Sequence, residues 1–273
     1  MLVVLDETIG FHSSSFPFGE QTLPVIKPAK TKKKDHTYQE YIESESSSLR
    51  SKNLHLSTYT LEDEIEFFSD LFSRHKAADP IIYFYDPMYT DHPMIRRLQN
   101  MFLPDKRLYP LPAAINRAET FFIVTQLLKR EGTSSSPVLT YQQLRKHIKS
   151  WVAGASGWVV TTNVKSIFKR RIAHRVYRRK KKHTYTQVRI NPYGKLESQK
   201  KAALDEIWKE LSEKLAGKET WVVTKGTELP NSPGKVCDLR EEAFPVNVPY
   251  VHVFEPPVEE QSTTIGDDEH ARC

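Results

Sequence analysis

The sequence predicts an α/β protein: a small mixed or parallel sheet with flanking helices, joined to a basic α+β unit and bounded by disordered ends. Three observations carry this. Between residues 60 and 101, a stretch of helical period, a short continuously apolar run and a second stretch of helical period follow one another. Between residues 140 and 225, helical stretches alternate with short strand-like ones, and cations crowd into one of them. Residues 11–52 and 256–273 are rich in Ser, Pro and charge without sustained period, so they bury too little apolar surface to offset their ordering entropy.

The elements follow in order. In TLEDEIEFFSDLFSRHKA, residues 60–77, Thr60 is an N-cap candidate with Asp63 three residues on, and Leu61, Ile65, Phe68 and Phe72 share one helical face. IIYFY, residues 81–85, is short and continuously apolar, as a strand buried on both faces should be. After Asp86-Pro87, Pro93 falls in the first turn of a helix whose apolar stripe is Met94, Ile95, Leu98 and Met101. Residues 116–132 are ambiguous. Asn116, Glu119, Lys129, Arg130 and Gly132 punctuate a helix, whereas TFFIVT favours a strand, and a strand feeding a helix is expected.

GTSSSP, residues 132–137, reads as a linker. Beyond it Thr140 caps YQQLRKHIKSWV, GWVVTT forms a strand, Asn163 opens a helix running to residue 182, and HTYTQVRI alternates as a strand. LESQKKAALDEIWKELSEKLAG is expected to be helical, with Leu204, Ile207, Trp208, Leu211 and Leu215 on one face and Gly217 as its C-cap. ETWVVTK is the last expected strand. The chain therefore divides into a mostly disordered segment 1–52, an α/β unit 53–131, a basic α+β unit 138–225 and an irregular acidic tail 226–273.

Apolar residues make up 38 % of the chain, below the ~45–50 % usual in globular domains. Net charge is +6 but uneven: residues 165–201 hold fourteen Lys or Arg against Glu197, about +13, which leaves about −7 elsewhere. A local cationic field favours nucleic acid, an anionic membrane surface or an acidic partner. Two cysteines, Cys237 and Cys273, do not make a disulfide framework. The opening MLVVLDETIG is too short an apolar run for a signal peptide, and no run reaches the ~18–20 residues needed to span a bilayer. A cytoplasmic or nuclear address is expected.

An Asp at the carboxyl end of a parallel strand points into the crevice where open α/β sheets place ligands, which makes Asp86, Tyr89, Thr90 and Asp91 a candidate ligand-binding lip. The competing reading is a turn, in which the Asp86 carboxylate takes hydrogen bonds from the next main-chain N–H groups. The stretch PIIYFYDPMYTDHPMIRRLQ resembles the core of the SRR1-like family, an α/β domain with a Tyr-Asp-Pro-x-aromatic-Thr element after a strand. The resemblance covers residues 55–130. It implies a non-enzymatic regulatory or interaction protein with no assigned catalytic residues. A glycine-rich strand end near residues 53–60 and a later Pro-His pair, both features of that family, are absent.

The second constellation is basic. On a helix, Val164, Phe168, Ile172 and Val176 would face inwards and leave a cationic row outside. Lys165, Lys169, Arg170, Arg171, Arg175, Arg178, Arg179, Lys180, Lys181 and Lys182, with Arg189 on the next strand, are candidate nucleic-acid contacts. The unit could be arranged like a winged helix, with TYTQVRINPYGK as the wing. A solvated helix end, a nuclear import signal or a membrane-surface helix would use the same residues. The expected partner is a protein or a nucleic acid, met through this helix.

Enzyme signatures fail: G-x-G-x-x-G, G-K-[ST], H-E-x-x-H and G-x-S-x-G are all absent. His55-Leu-Ser57 resembles half of a two-histidine phosphoesterase, but His252-Val-Phe lacks the second hydroxyl. Neither cysteine has a partner at a metal-ligand spacing. No cofactor and no catalytic residue are therefore assigned.

Overall fold

The computed structural model describes residues 1–16, 18, 23–31, 56–57, 60–74, 80–87, 90, 92–102, 107–131, 140–164, 167, 184–191, 196–239 and 248–257. Two sheets organise them. The first contains β1 (Leu2–Asp6), β2 (Val25–Lys27), β5 (Ile81–Tyr85) and β6 (Leu108–Pro112), all parallel, in the order β2-β1-β5-β6. Strands β3 (Lys30–Thr31) and β4 (Leu56–Ser57) form a separate antiparallel pair. The second sheet has six strands: β7 (Ser156–Thr161), β8 (Tyr185–Ile190), β9 (Leu196–Ala202), β10 (Trp221–Lys225), β11 (Lys235–Asp238) and β12 (Tyr250–Glu255). Their order is β11-β10-β12-β7-β8-β9, with β10 and β11 parallel and the other neighbours antiparallel.

Strand alternation assigns the faces. In β5, Ile81, Tyr83 and Tyr85 join one apolar cluster while Ile82 and Phe84 join another. The first cluster is covered by α1 (Leu61–Arg74) and α2 (His92–Met101), through Phe68, Leu71, Phe72, Ile95 and Leu98. The second is continuous with α3 (Arg117–Glu131), which lies between the two sheets and touches Trp221, Tyr250 and Phe254 of the six-stranded one. The helix α4 (Tyr141–Val152) adds Leu144 to that layer, and its Tyr141 hydroxyl donates to Pro110 O over 2.8 Å. The outer face of the second sheet is closed by α5 (Leu204–Leu215) over Trp158, Val222, Val251 and Val253. Helices and sheets thus alternate in five layers.

The α/β class, the parallel sheet and its flanking helices are as the sequence predicts. Several segments differ. Residues 116–131 are helical from Arg117 on. TFFIVT looked strand-like because a helix enclosed between two sheets is apolar almost all round: Phe121, Phe122, Ile123, Val124, Leu127 and Leu128 are all buried. Residues 196–202, expected to open a helix, form the strand β9 at the sheet edge. Its polar LESQKKA follows the charged composition that protects edges, and Lys200 bonds Glu206 and Glu210 of α5. Leu2–Asp6 lies in the stretch expected to be mostly disordered, and Tyr250–Glu255 in the expected irregular tail, yet each is an interior strand of its sheet. The winged-helix arrangement is replaced by the six-stranded sheet. The basic helix of residues 165–182 lies outside the described residues except Ile167, which is buried.

Candidate functional site

In the first sheet the chain runs from β1 to its neighbour β2 on one side, then to β5 on the other. The carboxyl ends of β1 and β5 therefore flank a topological switch point, where open α/β sheets receive ligands. Asp6 ends β1, Lys27 ends β2 and Asp86 follows β5, and all three are buried. Burial of so many ionisable groups is costly unless each is paired.

The pairing falls into two connected groups. On the α1 side, Lys27 Nζ donates to Glu64 Oε1 and to the Tyr83 hydroxyl, each over 2.8 Å. The Tyr83 hydroxyl donates onward to Asp6 Oδ2 over 3.1 Å, and Thr90 Oγ1 approaches the same oxygen at 3.5 Å. Burial pushes the Asp6 and Glu64 carboxyls above their usual range, with the Lys27 charge opposing it.

On the α3 side, Arg117 Nη2 donates to Asp86 Oδ2 over 2.5 Å, with the carboxylate fully buried and the guanidinium nearly so. The Asp86 carbonyl accepts from Thr90 N over 3.0 Å, which closes the turn expected for Asp-Pro. The carboxylate itself faces the helix start. Asn116 is the N-cap of α3: its Oδ1 accepts from Ala118 N over 3.1 Å. Its amide reaches the other way and donates to Val253 O of β12 over 2.8 Å. Gly157 of β7 makes room for this, since a Cβ there would lie 2.6 Å from Asn116 Nδ2.

Arg117 N donates to Nδ1 of His252 over 2.7 Å. Accepting at Nδ1 places the ring proton of neutral His252 on Nε2. Burial drives the imidazole pKa well below its ordinary value, and the Arg117 cation pushes the same way, so the ring is neutral. The ring stacks on Tyr250 at 4.4 Å between centroids. Nε2 is buried and has no hydrogen-bond partner among the described residues. An N–H left unmade in a protein interior costs about 1–3 kcal/mol.

Of the four lip residues read from the sequence, Asp86 and Thr90 lie at this switch point, and Tyr89 and Asp91 lie outside the described residues. Of the basic candidates, Lys165, Lys169, Arg170, Arg171, Arg175, Arg178, Arg179, Lys180, Lys181 and Lys182 also lie outside them. Arg189 sits in β8, Nη1 is 3.3 Å from Glu197, and the side chain is half exposed. Arg117 and Tyr250 escaped the sequence reading, and His252 entered it only as an incomplete phosphoesterase half. Their available signals were the Asn116 cap before Arg117 and the period-two alternation of YVHVFE. Among the described residues no cluster of three His, Cys, Asp or Glu could hold a metal ion, and no helix is long and apolar enough to cross a membrane.

No family model matches the sequence, and no curated protein matches it. Solved structures do match in fold. The fatty acid kinase B3 protein of Streptococcus pneumoniae, loaded with linoleic acid, superposes with a TM-score of 0.59 at 12 % identity, covering 94 % of this chain and 100 % of that one. A fatty-acid-binding protein of Thermotoga maritima gives 0.60 at 9 % identity, over 94 % and 99 %. A fatty-acid-binding DegV family protein of Thermus thermophilus gives 0.58 at 10 % identity, over 93 % and 99 %. The chain has the fold of DegV family proteins.

That likeness overturns the SRR1-like resemblance and the regulatory reading built on it. The Asp-Pro element that carried the resemblance is a common turn opening, and the sheet it belongs to recruits residues 2–6 and 25–27 from outside the compared region. It also overturns the nucleic-acid reading of the basic helix: the solved structures that share the fold over nearly the whole chain are described as fatty-acid-binding proteins. The nuclear alternative for its address finds no support among these neighbours either.

Proposed function

We propose that this protein holds one long acyl chain in the apolar layer between its two sheets, with the head of the chain at Nε2 of His252. The observation that carries the reading is that buried N–H, which has no acceptor among the described residues. A ligand acceptor placed there would remove the cost of leaving it unmade. Strand and helix periodicity lead from this point into apolar surroundings. Phe254 is two residues from His252 on the same strand face, and Phe121 is one helical turn from Arg117. Sites of this kind combine apolar walls with a few placed polar groups. The fold's occurrence in proteins solved with fatty acids supports the same ligand class.

Asp86 serves the site by fixing the Arg117 guanidinium, and Thr90 by closing the turn that presents Asp86. The test is chemical extraction of the purified full-length chain followed by lipid mass spectrometry. A single-chain acyl lipid at near one per protein is expected, and much less in His252→Phe. Protein that carries no lipid, and takes up neither palmitate nor methyl palmitate, contradicts the reading.

A further inference from the structure

Resting on the acyl-chain reading, we infer that Asp6 and Glu64 together keep one proton at neutral pH, and that this proton controls how tightly an anionic head group is held at His252. Two buried carboxyls share one cation. Among the described residues Lys27 is the ammonium between them: Nζ donates to Glu64 Oε1 directly and supports Asp6 through the Tyr83 hydroxyl. Glu64 is 1 % exposed, and its Oε2 is buried with no hydrogen-bond partner. No donor rewards a charge on that oxygen. Arg117 pairs with Asp86 rather than with Asp6. With both carboxyls ionised, two negative charges would lean on one positive charge in a dry interior, so a proton on either one removes a burial cost that nothing else offsets. The pair titrates as a unit, in which the proton belongs to neither residue alone.

The other charged groups around the pair favour the proton. Asp63 beside Glu64 on α1 and Asp86 beside Asp6 both add negative charge, and burial raises both carboxyls against the pull of Lys27. Arg96 and Arg97 of α2 are exposed to solvent. The pair is also wired to the head site. The Asp86 main-chain N–H donates to the Asp6 carboxyl, the Asp86 carboxylate holds Arg117, and Arg117 N meets His252. When pH rises and the pair loses its proton, the added negative charge repels an anionic head through the low-dielectric interior. A neutral head does not feel it. His252, kept neutral chiefly by burial, does not titrate in this range.

The experiment is competition against a neutral fluorescent acyl probe on the full-length chain at pH 6 and pH 9. The competitors are hexadecanesulfonate, which keeps its charge throughout, and hexadecanol, which has none. The wild-type protein is expected to bind the sulfonate about tenfold more weakly at pH 9 than at pH 6, and the alcohol equally at both. Glu64→Gln leaves Asp6 alone with Lys27 and should abolish the difference; should it not fold, Asp6→Asn removes the same charge. Glu119, whose carboxyl burial raises to about 7, supplies the control, and Glu119→Gln should keep the difference. Sulfonate affinity that does not fall at pH 9, an equal fall for the alcohol, or a fall that survives in Glu64→Gln or vanishes in Glu119→Gln, overturns the inference. Binding of neither amphiphile at either pH removes the acyl-chain reading itself, which separates the two failures.

Discussion

The main-chain N–H of Arg117 meets Nδ1 of His252 over 2.7 Å, so the first residue of the buried helix is tied to an interior strand of the second sheet. Replacing His252 with Phe keeps a flat ring against Tyr250 but leaves the Arg117 N–H without an acceptor. We expect a loss of about 1–3 kcal/mol in lipid-loaded protein, where the Nε2–H also has an acceptor, and a smaller one in lipid-free protein, where Phe removes the orphan Nε2–H as well, read as urea midpoints with an unchanged slope.

Gly157 and Asn116 form a second tie between helix and sheet. Any side chain at 157 would strike the Asn116 amide, since its Cβ would lie 2.6 Å from Nδ2. Gly157→Ala should therefore cost about 1–3 kcal/mol by overpacking. Combining it with Asn116→Ala should cost clearly less than the two single losses added, because both disrupt the same contact. Strict additivity in denaturant titrations would refute this coupling.

Lys27 is the cation that holds Glu64, and through Tyr83 it supports Asp6. Lys27→Met should destabilise by about 3–5 kcal/mol, the cost of stranding a buried charge. The sign of its pH dependence follows from the carboxyls. Both have folded pKa values raised above their unfolded ones, and losing the cation raises them further. Such groups cost stability as pH rises above the unfolded carboxyl range. The variant should therefore fall further behind the wild type at pH 8 than at pH 5, in paired urea titrations.

Glu119 lies in the first turn of α3, partly buried, and burial raises its carboxyl to about 7. Ionising it in the folded protein is unfavourable, so its contribution to stability declines between pH ~4.5 and ~7. Glu119→Gln removes that penalty. A gain of about 1–3 kcal/mol is expected at pH 8 and almost none at pH 4, from thermal or urea midpoints at the two pH values.

Local chemistry made part of the fold readable. The Thr60 cap bonds Asp63 as its spacing implied, Thr140 caps its helix and bonds Gln143, and IIYFY is a strand buried on both faces. What was not readable depended on partners distant in sequence. LVVLD is too short to declare itself a strand without Ile81–Phe84 beside it, and the polar alternation of LESQKKA means little until Tyr185–Ile190 pairs with it. The site was half visible for the same reason. Asp86 follows a recognisable strand, but its counter-ion is 31 residues away, and His252 is 135 residues from the N–H it accepts. No spacing rule links such positions. Only the stacking of two sheets around one helix brings them together.

The most direct measurement is native mass spectrometry of the full-length chain after incubation with palmitate, set beside His252→Phe treated alike. The account predicts a mass increase of one lipid on the wild-type protein and little or none on the variant. A bare wild-type chain, or equal loading of both proteins, would contradict it.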